Sequence, residues 1–310
     1  MEKRMFLQAL EHHSLIELEK IPKSDLHNHA GRGGALSYLH KKWGIPSEPP
    51  DRPFHSLHEM NAWLQDHVKC YFPDGSGYLP RIEAAFAQAE KDSIRVLALS
   101  FTLDEIDFLG GINSFIDCMD RLLHTYAPNT CFLPDLALGY KKTDETERLD
   151  EILGAHWFCG IDICNYSHTY SISELKGVCR KAKNNGLILK AHVGEFGNPD
   201  EILQYAQELN LDQIQHGIAA AQSPHVMKWL ADHKVQLNIC PTSNVMLKSS
   251  RSYSTHPIRV LFDYGIPVTI NTDDLLIFQA TVSQEYLNLY QSGVLTGEEL
   301  NIIRQTGLKY

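Results

Sequence analysis

Eight short apolar runs, separated by stretches of helical pattern, limit what this chain can fold into more than any other feature. They are KSDLHNH (23–29), IRVLALSF (94–101), TCFLPDLAL (130–138), WFCGIDIC (157–164), LILKAHV (187–193), DQIQHG (212–217), VQLNIC (235–240) and IPVTIN (266–271). Most are rich in the branched side chains that buried strands favour. Helix signals lie between them. Ser223 and Pro224 precede HVMKWLADH, Asn198 and Pro199 precede DEILQYAQEL, and Gly265 closes HPIRVLFDY. Strand and helix alternate along the 310 residues with no Gly/Ser-rich linker. The expectation is an α/β fold, a single (β/α)8 barrel spanning 1–310 with no second domain. A doubly wound open sheet is the rival, but no Gly-x-Gly-x-x-Gly follows a strand and no Walker loop is present. Residues 43–80 are longer than a usual strand-to-helix connection, and LHEMNAWLQDHV within them has helical spacing. That segment predicts a helical lid, inserted after the first strand, across the barrel mouth.

Charge and cysteine content narrow the function classes. The net charge of -10, from 28 basic and 38 acidic residues, opposes binding to a nucleic-acid polymer. No apolar run approaches the roughly 18 residues of a membrane span. The seven cysteines are scattered and never form a CxxC pair, which fits a reducing cytoplasm and excludes a zinc ribbon. A soluble protein acting on a small molecule is the expectation.

The polar residues at the ends of the runs carry the chemistry. His27 and His29 end the first run, His192 and Glu195 the fifth, His216 the sixth, and Asp273 with Asp274 the eighth. In a barrel these C-terminal ends share one face, where catalytic groups converge. Along an extended strand His27 and His29 project the same way, like two teeth of a clamp. Each residue alone has an ordinary explanation: a satisfied core histidine, a turn residue before Gly217, a helix cap. Together, three imidazoles and a carboxylate make a nitrogen-and-oxygen set that suits zinc and leaves room for water. Adjacent residues of a regular strand face opposite ways, so Asp273 and Asp274 serve one site only where the strand ends.

Taken in order, LHNHAG, AHVGE, QHG, CPTSN and NTDDLLIF resemble the motif series of the adenosine deaminase family, within the amidohydrolase superfamily. The resemblance runs from Leu26 to Phe278. It implies one zinc ion per chain held by His27, His29, His192 and Asp273. It also implies that Glu195 protonates a purine ring nitrogen, that His216 orients the zinc-bound water, and that Asp274 bonds the ring on its other edge. Gly194 and Asn165 fall where the family meets the purine. The expected reaction is hydrolytic deamination of adenosine, AMP or deoxy-AMP.

Several positions depart from the family pattern. Members acting on adenosine carry Leu-Asp-Gly after the second metal histidine, where this chain has Ala30, Gly31 and Arg32. A carboxylate that would repel a phosphate is therefore missing at Gly31, and Arg32 beside it offers forked donors suited to phosphate. Asn165 replaces a glycine, Gln215 replaces another, and Leu97–Phe101 lacks the usual Glu and Arg. The chain stops soon after the eighth run, which predicts a shortened closing segment or a second copy or partner subunit over that end. Two other functions fit the same residues. One is a two-metal phosphoesterase, with Lys190 as the only bridging candidate. The other is a catalytically idle, nucleotide-binding subunit.

Overall fold

The computed structural model describes residues 1–46, 48–72, 76–164 and 169–309. All eight apolar runs contain strands: β1 Lys23–Asp25, β2 Ile94–Phe101, β3 Cys131–Leu138, β4 Gly160–Ile163, β5 Ile188–Val193, β6 Gln213–His216, β7 Gln236–Ile239 and β8 Val268–Ile270. They pair in sequence order, every ladder parallel, with helices between them. This is the (β/α)8 barrel. The seam between β8 and β1 is closed beyond the strand ends. There the Leu26 amide donates to Asn271 Oδ1 at 2.7 Å, and the Asp273 amide donates to the His27 carbonyl at 2.9 Å.

The alternation inside each short strand decides what each face does. On β6, Ile214 packs outward into the apolar layer under the helices, whereas Gln213 and Gln215 face inward. Asn238 of β7 donates to both of their side-chain oxygens, at 2.8 and 2.9 Å. The barrel interior under the mouth is thus a hydrogen-bonded amide layer built from Gln213, Gln215 and Asn238. Lys190 and Asp135 form an ion pair at 2.5 Å in the same interior.

The three helix signals read from the sequence start or stop helices where expected. Asn198 and Ser223 cap Pro199–Leu209 and Pro224–Asp232 with their side-chain oxygens, and Gly265 follows Ile258–Asp263 at φ 79°. The lid is also present. Helices Leu36–Trp43 and Leu57–His67 bring Leu36, Leu39, Met60 and Leu64 onto Leu276, Ile277 and Phe278 beside the mouth.

Two expectations need correction. The first run is extended strand only to Asp25; past it Asn28 bridges to Asp273 and His29 to Ser100, so the segment splits between its two neighbours instead of continuing one ladder. The closing segment is not short either. Beyond β8, which ends at Ile270, the chain forms the helices Val282–Gln291 and Gly297–Gly307. The last helix packs across β8 and β1 and against the N-terminal helix Glu2–Glu11. Buried Arg304 anchors it by donating to the Pro22 carbonyl at 2.7 Å. The chain itself covers the end for which a partner was expected. Among the described residues no helix is long and apolar enough to cross a membrane.

Candidate active site

The four imidazoles converge at the barrel mouth. The His27 ring centroid lies 4.8 Å from that of His192 and 4.5 Å from that of His216, and the His29 and His192 rings stack at 5.2 Å. Asp273 Oδ1 is 3.6 Å from His27 Nε2 and 3.3 Å from His29 Nε2, and Asp273 Oδ2 is 3.8 Å from His216 Nε2. Two of these residues sit in left-handed backbone, His216 at φ 63° and Asp273 at φ 59°. Non-glycine residues seldom adopt that region, and doing so costs on the order of 1–3 kcal/mol. The turn lets Asp273 and Asp274 face one cavity although they are adjacent. Asp274 makes no capping bond to the helix Leu275–Phe278 that follows it, so the ordinary reading of the pair as a helix cap does not hold.

Hydrogen bonds to the backbone and to neighbouring side chains set the ring tautomers. His27 Nδ1 contacts the Asn238 carbonyl at 3.2 Å; a carbonyl only accepts, so Nδ1 carries the proton and Nε2 presents a lone pair. That Nε2 is buried without a hydrogen-bond partner, which would be costly unless a cation takes the lone pair. The donor atoms of His27, His29 and His192 lie within 4.8 Å of one another. Ligands about 2.1 Å from a tetrahedral zinc stand about 3.4 Å apart, so a small contraction makes the set a closed shell. The residues fit a metal ion.

His216 is held by a relay. The Ile258 amide donates to His256 Nδ1 at 3.1 Å, His256 Nε2 meets Asn244 Oδ1 at 3.3 Å, and Asn244 Nδ2 meets His216 Nδ1 at 3.2 Å. Each step fixes the next, leaving neutral His216 with its proton on Nε2, 3.6 Å from Glu195 Oε2. Burial pushes His216 down to about 3, so it stays neutral in ordinary buffers. Glu195 is pushed up to about 8, by burial first and then by the charge of Asp273. Its Oε1 is buried and unpartnered, as expected of an acid waiting for an acceptor. Asp273 lies well below the ordinary carboxylate range; burial opposes this, but the hydrogen bond from His29 and the adjoining rings of His27 and His216 outweigh it.

Gly194 separates His192 from Glu195 at φ 74°, and a Cβ there would meet Ile202 Cδ1 at 2.2 Å, so only glycine lets the chain turn at this point. The cavity, about 850 Å³, is lined by His29, His192, Glu195, His216, Asp273 and Asp274 at its floor, and by Gly31, Arg32 and lid residues higher up. Arg32 is not free. Its guanidinium donates to Asp274 Oδ2 at 2.9 Å and to Asn61 Oδ1 of the lid at 3.0 Å, leaving Asp274 Oδ1 buried and unpartnered. Asn165 lies outside the described residues.

Some residues around the cluster have no role assigned to them from the sequence. Asp162, buried on β4, accepts from Ser100 Oγ at 2.6 Å and meets His192 Nε2 at 3.2 Å. Burial raises its pKa, but the adjoining His192 outweighs burial and holds it below the usual range. Its only sequence signal is a carboxylate inside the apolar run WFCGIDIC. Ser243, within CPTSN, donates to Asp273 Oδ2 at 2.6 Å, and Cys240 Sγ lies 3.2 Å from His27 Nδ1.

Residues 142–310 match the profile of a family described as adenosine deaminase. The chain belongs to the adenosine deaminase family. A putative adenosine/adenine deaminase of Treponema pallidum is 28% identical over 284 residues, 89% of this chain and 93% of that protein. Two solved structures share the fold. One is the apo N6-methyl-AMP deaminase of Arabidopsis thaliana, with a TM-score of 0.76 at 21% identity, covering 96% of this chain and 93% of that one. The other is a Burkholderia ambifaria amidohydrolase with bound Zn, with a TM-score of 0.71 at 18% identity, covering 96% and 86%. As a member of the adenosine deaminase family, this chain is an aminohydrolase of the adenine-compound type.

Proposed function

We propose that the chain is a zinc-dependent deaminase of a purine nucleoside monophosphate, AMP or deoxy-AMP, with the whole of 1–310 acting as one domain in the cytoplasm. The observation that carries this is the unpartnered, metal-ready Nε2 of His27, set among His29, His192 and Asp273 and a short reach from the unpartnered acid Glu195. The Zn bound by the Burkholderia neighbour supports the choice of ion. A zinc ion held by His27, His29, His192 and Asp273 supplies Lewis acidity, making water a usable nucleophile near neutral pH.

The chain's own residues account for the rest of the reaction. His216 donates a hydrogen bond from its Nε2–H to the attacking oxygen and so orients it toward the carbon that bears the amine. Asp273 takes the proton the water sheds and passes it to the amine, which leaves as ammonia as the C–N bond breaks; the proton left on the new oxygen returns to Glu195 as the carbonyl forms. Glu195, protonated because it is buried, gives its proton to the adjoining ring nitrogen as the ring loses aromaticity. Asp274, through its unpartnered Oδ1, hydrogen-bonds the ring on its other edge, and Gly194 lets the ring lie flat against the chain. The lid excludes water from the mouth. The missing carboxylate at Gly31 favours a phosphate-bearing substrate over a nucleoside.

The phosphoesterase reading loses its second metal. Lys190, its only bridging candidate, is spent on the ion pair with Asp135 in the barrel interior. The test is ammonia release from adenine, adenosine, AMP and deoxy-AMP by protein of measured metal content. About one zinc per chain and the highest kcat/KM on a monophosphate are expected, with loss of both zinc and turnover in His27→Ala. An active preparation without metal, or a preference for adenine or adenosine, would overturn the corresponding part.

A further inference from the structure

The upper cavity wall carries more positive charge than its own carboxylates engage. Arg81, on the helix Tyr78–Lys91, donates Nε to the Gly77 carbonyl at 3.0 Å and Nη1 to the Gly31 carbonyl at 2.8 Å; Nη2 is left over. Arg32 spends both terminal nitrogens on Asp274 and Asn61, leaving Nε. Lys69 sits in the turn Lys69–Tyr71 just past the lid helix Leu57–His67, and it lines the same cavity. Among the described residues no acceptor or carboxylate takes its ammonium.

Each nearby carboxylate already has one oxygen engaged, and the pull of Glu105 and Asp274 on Lys69 is outweighed. Asp274 Oδ2 holds Arg32, Glu105 Oε2 accepts the Thr102 amide at 2.8 Å, and Asp104 pairs with Lys141 at 2.5 Å. The Lys69 pKa is pushed below its ordinary value by burial and then by the charges of Arg81 and Arg32. Like charges gathered in a half-buried pocket repel one another, and an anion between them would relieve that repulsion. The cluster also stands at a set place relative to the floor. Arg81 is bonded to the carbonyl of Gly31, two residues past His29, whose ring faces Asp273.

We propose that Lys69 and Arg81, helped by Arg32 Nε, form the seat for the 5′-phosphate of the substrate, with Lys69 as its main cationic anchor. This rests on the deaminase reading only for the identity of the base. A phosphate dianion accepts from the ammonium of Lys69 and the spare Nη2 of Arg81 at once, and the short backbone at Gly31 leaves it room. Lys69 belongs to the lid, so a bound phosphate also ties the lid to the barrel. Free adenosine cannot do this. Monophosphate preference is then shared between the lid, through Lys69, and the wall formed by Arg81 and the loop that carries the metal histidines.

Binding of the product pair separates this proposal from the chemistry. Zinc-loaded wild type, Lys69→Met and Lys69→Arg are titrated calorimetrically with IMP and with inosine, and inorganic phosphate is added as a competitor. Wild type is expected to bind IMP at least about ten-fold more tightly than inosine. Lys69→Met should cut that ratio on the order of ten-fold, the scale of one charge-assisted contact, while Lys69→Arg keeps most of it. Inorganic phosphate should weaken IMP and leave inosine unaffected. An IMP to inosine ratio unchanged in Lys69→Met of wild-type thermal midpoint, or equal affinities in wild type, overturns the proposal. Should no adenine compound release ammonia while the Lys69-dependent preference persists, the deaminase reading falls and the phosphate seat stands.

Discussion

Glu195 must meet the ring nitrogen as a carboxylic acid, and burial arranges this by holding it protonated up to about pH 8. The sign is unambiguous. The acid form is present below that value and is lost as pH rises through it, so kcat should fall on the alkaline side. A dication beside the carboxyl stabilises its charged form and moves this limb lower, never higher. His216, held near 3, adds no acidic limb above pH 5. Glu195→Gln keeps the side chain's shape but cannot give up a proton, and should lose on the order of 10²–10⁴-fold in kcat while retaining zinc. Its remaining activity should lack the alkaline limb. Near wild-type turnover in a pH series on this variant would remove Glu195 from the role of acid.

Among the elements, the closing helix Gly297–Gly307 has the tightest fit. A Cβ on Gly307 would stand 1.9 Å from Ser24 Oγ of β1 and 3.5 Å from Thr269 Cγ2 of β8. Glycine lets this helix approach both strands of the seam, which has few ladder bonds of its own. Gly307→Ala should therefore destabilise the fold by about 1–3 kcal/mol through overpacking. Denaturant unfolding followed by circular dichroism reads this as a lower midpoint with an unchanged slope. The lid packs elsewhere, on Leu276, Ile277 and Phe278 beside the mouth. The same substitution should thus leave the metal content as it is in wild type.

For the molecule as a whole, eight strands in one continuous ladder order tie every helix to one interior. Unfolding followed by calorimetry should show one cooperative transition, since no part of the sheet closes without the rest. Zinc bound only to the folded chain should raise that transition, by about 2.7 kcal/mol of stability at a hundred times its Kd. Chelator should reverse the shift. Two separable transitions would show that residues 1–310 are not one domain, and a midpoint indifferent to zinc and chelator would argue against the metal centre.

The sequence alone sufficed for what depends on local pattern. Branched residues in short runs marked all eight strands, Asn198, Ser223 and Gly265 marked helix ends, and the spacing of LHEMNAWLQDHV marked the lid helix. His27, His29, His192, His216, Glu195 and Asp273 were legible as one site because every one of them lies at the same end of a strand. Tertiary structure alone decided what depends on contacts between distant segments. Asp162 reaches His192 across 30 positions, and His256 reaches His216 only through Asn244. Arg32 reads as a free guanidinium in its own loop, yet it is committed to Asp274 from 242 residues away. Lys69 and Arg81 meet the cavity because the lid folds over it. A local pattern records which face of an element is buried, but a side chain's partner is set by which other element arrives there, and no periodicity within the element encodes that.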